Sequence, residues 1–477
     1  MWFSNTRIRE SQMEIPAGEL SSVTASAPRR SFLTLLFDRS KVGRLEWSHF
    51  VSMKAVFPAL LALAYLSSPV SAQTAATVPK ERIEAGSNSL SSVDQMLQRE
   101  VDENKIAGAV VLVMRDGRIV YDRATGWADK EAGRRMTTDA IFRLASLSKA
   151  ITTTAALMLV EQGKIGLDDP VSRYIPEYAH TTVATRSDTG RVIVPAKRQI
   201  TIRDLLTQTS GVSYGMDSIV APLYQAKGLG PAAGFGWYTS DKNEPICTTM
   251  ERLAALPFVS QPGAAWVYGY NTDILGCIVE RVSGIPLDEF IRTRITRPLG
   301  MKNTFFYLPP TMRQRLATVY TTDSTGHVQR APAGPRGQGD YVDGPRKSLA
   351  GGAGMLSTAR DYARFLEMLA NGGELDGVRI LSPKTIALMT TNQVGPLFVR
   401  TAGQGFGLAF GTNDRPGADG PASVGTWGWR GAYGGWYRVD PSAHLIMVFM
   451  TQQIPNTFEV AAKFQTLVYQ ALADTKR

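Results

Sequence analysis

The chain predicts an α+β fold, α/β in the broad sense. One antiparallel sheet is assembled from both chain ends and flanked by helices, and a mostly helical lobe is inserted between those ends. Three observations lead there. Strand-like runs occur at 107–114 and 118–122, and again only beyond about residue 405. The stretch from about 165 to 390 is mostly helical patterning and long loops. An amphipathic helical pattern flanks each strand group, placed to pack on the sheet the strands would form.

Residues 91–103 read as an amphipathic helix. The runs 107–114 and 118–122 are joined through Asp116-Gly117, a hairpin signal. An apolar helix over 151–162 is stopped by Gly163. Thr201-Ile202-Arg203-Asp204 is a capping-box opening for a short helix. Residues 332–346, rich in Pro and Gly, read as a long surface loop, and 357–370 as a capped helix. Beyond 405, the runs 407–410, 424–429, 435–439 and 445–451 read as strands, and 458–472 as a closing amphipathic helix.

Composition narrows the partners. Hydrophobic residues make up 44% and charged residues 20%, the values of a globular chain. The net charge is +10; residues 1–72 hold 8 Lys/Arg and 5 Asp/Glu, leaving +7 on the rest. With no basic run and no aromatic-basic stripe, nucleic-acid binding is disfavoured. Met53-Lys54, an apolar run to Leu66 and Val70-Ser71-Ala72 ahead of Gln73 have the order of a secretory signal. The reading is therefore an N-terminal extension at 1–52, a signal peptide at 53–72, a domain at 73–477, and export, with the periplasm as destination. The apolar run is too short to span a bilayer, and no membrane span is expected after signal removal. Cys247 and Cys277 are the two cysteines. Cys277 falls in the apolar helical stretch 274–282, so a free buried thiol is expected, with pairing in an oxidising compartment as the alternative. His49, His180, His327 and His444 are scattered without metal-ligand spacing, so neither a metal nor a cofactor is expected.

Ser146-Leu147-Ser148-Lys149 stands where an extended apolar stretch gives way to a helix. Residues three apart share a helix face, so Ser146 and Lys149 meet at its first turn. Serine needs a base to take its proton. A lysine serves only when neutral, a state favoured by burial and by the positive end of a helix. By itself S-x-x-K is a chance-level pattern. Tyr268, in the aromatic segment 266–276, could relay the proton. The small-residue stretch Gly428-Trp429-Arg430-Gly431-Ala432, on an expected strand, could let a substrate approach and offer N–H groups to an oxyanion.

Two other motifs compete. Gly211-Val212-Ser213-Tyr214-Gly215 fits the G-x-S-x-G nucleophile elbow, but a helix precedes it where a strand is required, and the downstream histidines are poorly placed. Gly351-Gly352-Ala353-Gly354 lacks the lysine of a phosphate loop and reads as a tight structural turn.

Together the three elements resemble the serine β-lactamase-related family, which includes class C β-lactamases, D-alanyl-D-alanine carboxypeptidases and family VIII carboxylesterases. The resemblance runs from about residue 90 to the C-terminus through "FRLASLSKAIT", "ITIRDLLTQTSGVSYG", "YNTDILGCIVERVSG", "RPLGMKNTFF", "GGAGMLSTARDYARFLEML" and "GWRGAYGGWYRVDP". It implies a β-lactamase/transpeptidase-like fold with Ser146 as nucleophile, Lys149 as base and Tyr268 as its partner. The oxyanion N–H groups would be those of Ser146 and Ala432, and Tyr270, Trp429, Arg430 and Gly431 would contact substrate. Two positions depart from the β-lactamase pattern. The second motif has Tyr270 where that pattern has Asn, with Asn271 one place late. The third begins with Trp429 where the pattern has the lysine that binds the antibiotic's carboxylate. Both changes suit a neutral, partly apolar ester. The expected activity is carboxylic-ester hydrolysis through an acyl-enzyme on Ser146. The rivals are a β-lactamase or D-alanyl-D-alanine carboxypeptidase using the same site, and a non-catalytic penicillin-binding-like protein.

Overall fold

The computed structural model describes residues 90–474, apart from 189, 232–240, 335–336, 399–400 and 457. The expected signal segment and the extension before it lie outside the described residues. The chain opens with helix α1 (Ser91–Asp102), the hairpin β1 (Gly108–Arg115) and β2 (Arg118–Asp129), and a short β3 (Arg134–Arg135). Asp116 and Gly117 turn the hairpin with φ of 51° and 71°, the left-handed pair of a two-residue turn. Helix α2 (Ser148–Glu161) follows, then α3 (Ile202–Leu206), α4 (Ile246–Ala254), α5 (Asn271–Ser283) and α6 (Ala359–Ala370). The chain ends with β4 (Gln404–Phe406), β5 (Gly411–Asn413), β6 (Trp427–Arg430), β7 (Trp436–Asp440), β8 (Leu445–Met450) and helix α7 (Glu459–Asp474).

The two ends build one eight-stranded sheet, in the order β4-β5-β6-β7-β8-β1-β2-β3, with every pairing antiparallel. β1 and β8, the first and last long strands, pair at its centre from Val110 opposite Met450 to Arg115 opposite Leu445. Their alternation divides the core. Val111, Val113, Met447 and Phe449 face α1 and α7, where Val93, Leu97, Phe464 and Val468 are buried. Val110, Leu112, Ile446 and Val448 face the opposite way, toward the core that includes Phe365, Leu366 and the apolar side of α2. A strand buried on both faces reads as a continuous apolar run, as "GAVVLVM" and "LIMVFM" do. Each such buried aliphatic or aromatic side chain contributes about 1.5–3 kcal/mol.

Three expectations need correcting. Residues 407–410 form the turn between β4 and β5, since Gly407 and Phe410 close a tight backbone hydrogen bond of 2.8 Å. The described residues of 331–350 carry no helix or strand, as expected, but Tyr341 and Val342 are buried, so this loop is anchored. The Gln338 side chain bonds both backbone groups of Val319, and the buried Arg143 guanidinium donates to Gln338 O at 2.6 Å. Cys247 on α4 and Cys277 on α5 are joined in a disulfide, against the expectation of a free thiol. The sequence pattern places Cys277 on a buried helix face; only the packing of α4 against α5 brings Cys247 to within 5.0 Å between Cα atoms. No helix among the described residues is long and apolar enough to cross a membrane.

Candidate active site

The site begins at a strained turn. Phe142–Arg143 pairs with Leu356–Ser357, and the chain then reverses through Ala145 at φ 47°. That left-handed geometry costs a residue with a Cβ about 1–2 kcal/mol. A 3₁₀ turn, Ala145–Leu147, carries Ser146 into α2. Ser146 and Lys149 therefore meet at the head of the helix, although Ser146 belongs to the tighter turn before it. Both are buried, at 7% and 1% exposure.

Three oxygens surround Lys149 Nζ. Gly352 O accepts at 2.7 Å, the Tyr214 hydroxyl at 2.8 Å and Ser146 Oγ at 3.5 Å. As an ammonium, Lys149 donates to all three. As a neutral amine it can donate to Gly352 and Tyr214 and turn its lone pair to the Ser146 hydroxyl. The Tyr268 ring centre lies 4.7 Å from Nζ. Its hydroxyl accepts the Trp429 indole N–H at 3.0 Å. The structure thus brings Ser146, Lys149, Tyr268 and Trp429 into one cluster.

β6 reaches this cluster through Gly431. A Cβ there would lie 2.4 Å from Leu144 O and 2.9 Å from Leu147 Cδ1, so only glycine lets the strand end approach the turn that carries Ser146. Ala432, the next residue, packs against a small buried cluster that includes Ala145 and Tyr433.

Two expected substrate contacts are not on the cluster's side. Tyr270 is 1% exposed, its hydroxyl accepts Gly230 N–H at 3.1 Å, and its ring stands edge-on to Tyr214 with centroids 4.8 Å apart. It supports Tyr214 from behind, because the backbone that aims Tyr268 outward turns the residue two places on into the core. Arg430 projects from the other side of β6 and lies over the Phe458 ring, as strand alternation from Trp429 requires. Asn271, one place late for the β-lactamase pattern, is buried against Ser210 and Gln208.

The elbow-like motif has a different role from its pattern. Ser213 Oγ accepts the N–H of Gly215 at 3.0 Å, while its neighbour Tyr214 is the residue that reaches Lys149. Sequence reasoning missed Tyr214, because G-x-S-x-G directs attention to the serine. It also missed Asp273, 2% exposed in the first turn of α5, whose Oδ1 accepts Gly352 N–H at 3.1 Å. Burial pushes this carboxyl up to about 6, against the pull of Lys149 and of that N–H.

An aromatic wall adjoins the cluster. Trp266 stacks on Tyr268, and Phe398, Phe406 and Trp429 pack edge-on to Trp266. The sequence profile of the Beta-lactamase family matches residues 93–471. The chain belongs to the Beta-lactamase family. It is 37% identical over 382 residues to Protein Rv1367c of Mycobacterium tuberculosis, covering 75% of this chain and 89% of that one. It is 32% identical over 375 residues to Esterase EstB of Burkholderia gladioli, with the same two coverages. Among solved structures, EstCE1, a hydrolase with promiscuous acyltransferase activity, superimposes with a TM-score of 0.68 at 30% identity, over 81% of this chain and 100% of that one. Simvastatin synthase LovD from Aspergillus terreus superimposes with a TM-score of 0.66 at 25% identity, over 80% of this chain and 98% of that one. This member of the Beta-lactamase family has the β-lactamase/transpeptidase-like fold and belongs with serine hydrolases whose relatives include esterases and acyltransferases.

Proposed function

We propose that the protein hydrolyses carboxylic esters of small molecules through an acyl-enzyme on Ser146. Lys149 takes the Ser146 proton as Oγ bonds to the ester carbonyl carbon. The N–H groups of Ser146 and Ala432 hold the resulting oxyanion. Collapse breaks the bond to the alkoxy oxygen, which receives a proton from Tyr268, and Tyr268 is reprotonated from Lys149. Water then adds to the acyl carbon by the same proton route in reverse, releasing the acid and Ser146.

The observation that carries this reading is the Trp429–Tyr268 contact. Trp429 gives the Tyr268 hydroxyl a neutral donor and extends an apolar wall, where a β-lactam's carboxylate would call for a cation. An uncharged, partly apolar ester fits that wall better than an anionic antibiotic. The esterase names among relatives support the same choice. Parallel assays with a short-chain p-nitrophenyl ester and a chromogenic cephalosporin test it, on wild type and Ser146→Ala. Ester turnover that vanishes in the variant is expected. Rapid cephalosporin turnover without ester hydrolysis would replace this reading by a β-lactamase.

Export from the cytoplasm is part of the proposal. It is supported by the signal-like order at 53–72 and by the Cys247–Cys277 disulfide, which suits an oxidising compartment. N-terminal sequencing of the exported protein is expected to begin at Gln73; a mature start upstream of Met53 contradicts it.

A further inference from the structure

Asp273 is a buried carboxylate that the proton route above does not use. Neither it nor Lys149 takes part in an ion pair among the described residues, although both are at most 2% exposed. Burying a charge without a direct partner is costly, so such a group persists where neighbouring dipoles hold it. The dipoles here are the Gly352 N–H, bonded to Oδ1 at 3.1 Å, and the backbone N–H of Asp273 itself. The carbonyl of the same glycine is the closest acceptor of Lys149, at 2.7 Å.

The approach is tight. A Cβ on Gly352 would lie 2.4 Å from Asp273 Oδ2, so the carboxylate lies directly against the glycine. One residue earlier, Thr152 of α2 donates to Gly351 O at 2.8 Å. The turn that reads as merely structural is thus gripped from both sides, by Lys149 and Thr152 of α2 and by Asp273 of α5.

We propose that Asp273 is a positioning residue for Lys149, acting through the Gly352 turn: its anion anchors the Gly352 N–H so that the Gly352 carbonyl holds Nζ beside Ser146. This rests on the Ser146–Lys149 reading above. The titratable groups that interact electrostatically with Asp273 are Lys149 from α2, Tyr270 at the head of its own helix and Tyr178 from the turn Pro176–His180. Protonating the carboxyl weakens the acceptor, loosens the grip on Gly352 and slows turnover.

The test compares wild type, Asp273→Asn, Asp273→Ala and Ser146→Ala in p-nitrophenyl butyrate hydrolysis from pH 5 to 9, with thermal melts alongside. Wild type is expected to lose activity through an inflection near the pH at which Asp273 titrates. Asp273→Asn should lack that inflection and lose about 3–10-fold in kcat at pH 8 with KM within about 2-fold, the loss of roughly one hydrogen bond's charge assistance. Asp273→Ala should lose more in kcat, and the difference from Asn measures rescue by shape. An Asn variant with the wild-type pH profile and kcat overturns the proposal. So does an Ala variant as active as Asn. Should Ala fail to fold, the Asn profile decides alone. Activity surviving in Ser146→Ala removes the underlying esterase reading. Activity lost there, with Asp273→Asn unchanged, removes only this inference.

Discussion

The indole nitrogen of Trp429 donates to the hydroxyl of Tyr268 at 3.0 Å, tying the sheet's β6 to the residue three places before α5. This bond orients the tyrosine to which the proposed mechanism gives the leaving group's proton transfer. Trp429→Phe keeps the aromatic wall and removes the donor. A neutral hydrogen bond is worth about 1 kcal/mol, so kcat/KM for a short-chain ester should fall about 5-fold with little change in Tm.

Ser146 and Ser213 each stand in a nucleophile-like motif, but Ser146 Oγ faces Lys149 Nζ at 3.5 Å while Ser213 Oγ accepts the Gly215 N–H. Ser146→Ala and Lys149→Ala should each lower ester turnover by at least about 10³-fold, and Ser146→Ala should abolish labelling by a fluorophosphonate probe. Ser213→Ala should keep most of its activity, since that hydroxyl is engaged by the Gly215 N–H and the Tyr224 side chain. The reverse pattern would reassign the nucleophile.

Tyr214 meets Lys149 at 2.8 Å through its hydroxyl, and its ring is held edge-on to Tyr268 and Tyr270. Hydrogen bonds to charged groups are worth about 1.5–3 kcal/mol, so Tyr214→Phe should cost roughly 10- to 100-fold in kcat. KM should move far less, which steady-state kinetics would reveal.

The Cys247–Cys277 disulfide joins α4 to α5 across a sequence separation of 30. Closing a loop of that length stabilises by about 3–4 kcal/mol in the chain-entropy picture. The double Cys→Ser variant should unfold at a lower denaturant midpoint, with the active site intact in the folded fraction. An unchanged midpoint would contradict this.

Burial raises Asp273 from its ordinary 3.8 to about 6. The folded state therefore holds this proton more tightly than the unfolded chain does. Its favourable contribution is full below about pH 4 and lost as pH rises through about 6. At pH 8 the buried anion costs on the order of 3 kcal/mol relative to a neutral side chain. Asp273→Asn should accordingly melt higher than wild type at pH 8, and the two should converge near pH 4. A residue that lowers stability while raising turnover is the expected signature of a functional charge.

Much of this was legible in the chain itself. Continuous apolar runs marked β1 and β8 as strands, Asp116-Gly117 marked the hairpin, and Thr201 with Asp204 marked a capping box that forms as expected. These are local signals, read from neighbours within one or two turns of chain. Ser146 and Lys149 were legible for the same reason, since three residues of helix bring them together. Tyr268 and Trp429 were marked by pattern, but their hydrogen bond required β6 to lie beside the segment before α5.

Other features had no local signature. Tyr214 faces Lys149 and Tyr270 does not because of how two loops stack, and nothing within either segment distinguishes the two rings. Asp273 has the local setting of an ordinary first-turn acid of a helix, and Gly351-Gly352 that of an ordinary turn. Their meeting spans 79 residues of chain, and the Cys247–Cys277 bond likewise depends on how two helices pack. The sequence alone determined that Ser146 and Lys149 meet at the head of a helix, and which strands carry the site. Only the tertiary structure decided which distant oxygens, carboxylates and sulfurs meet, because packing of the whole core selects those contacts.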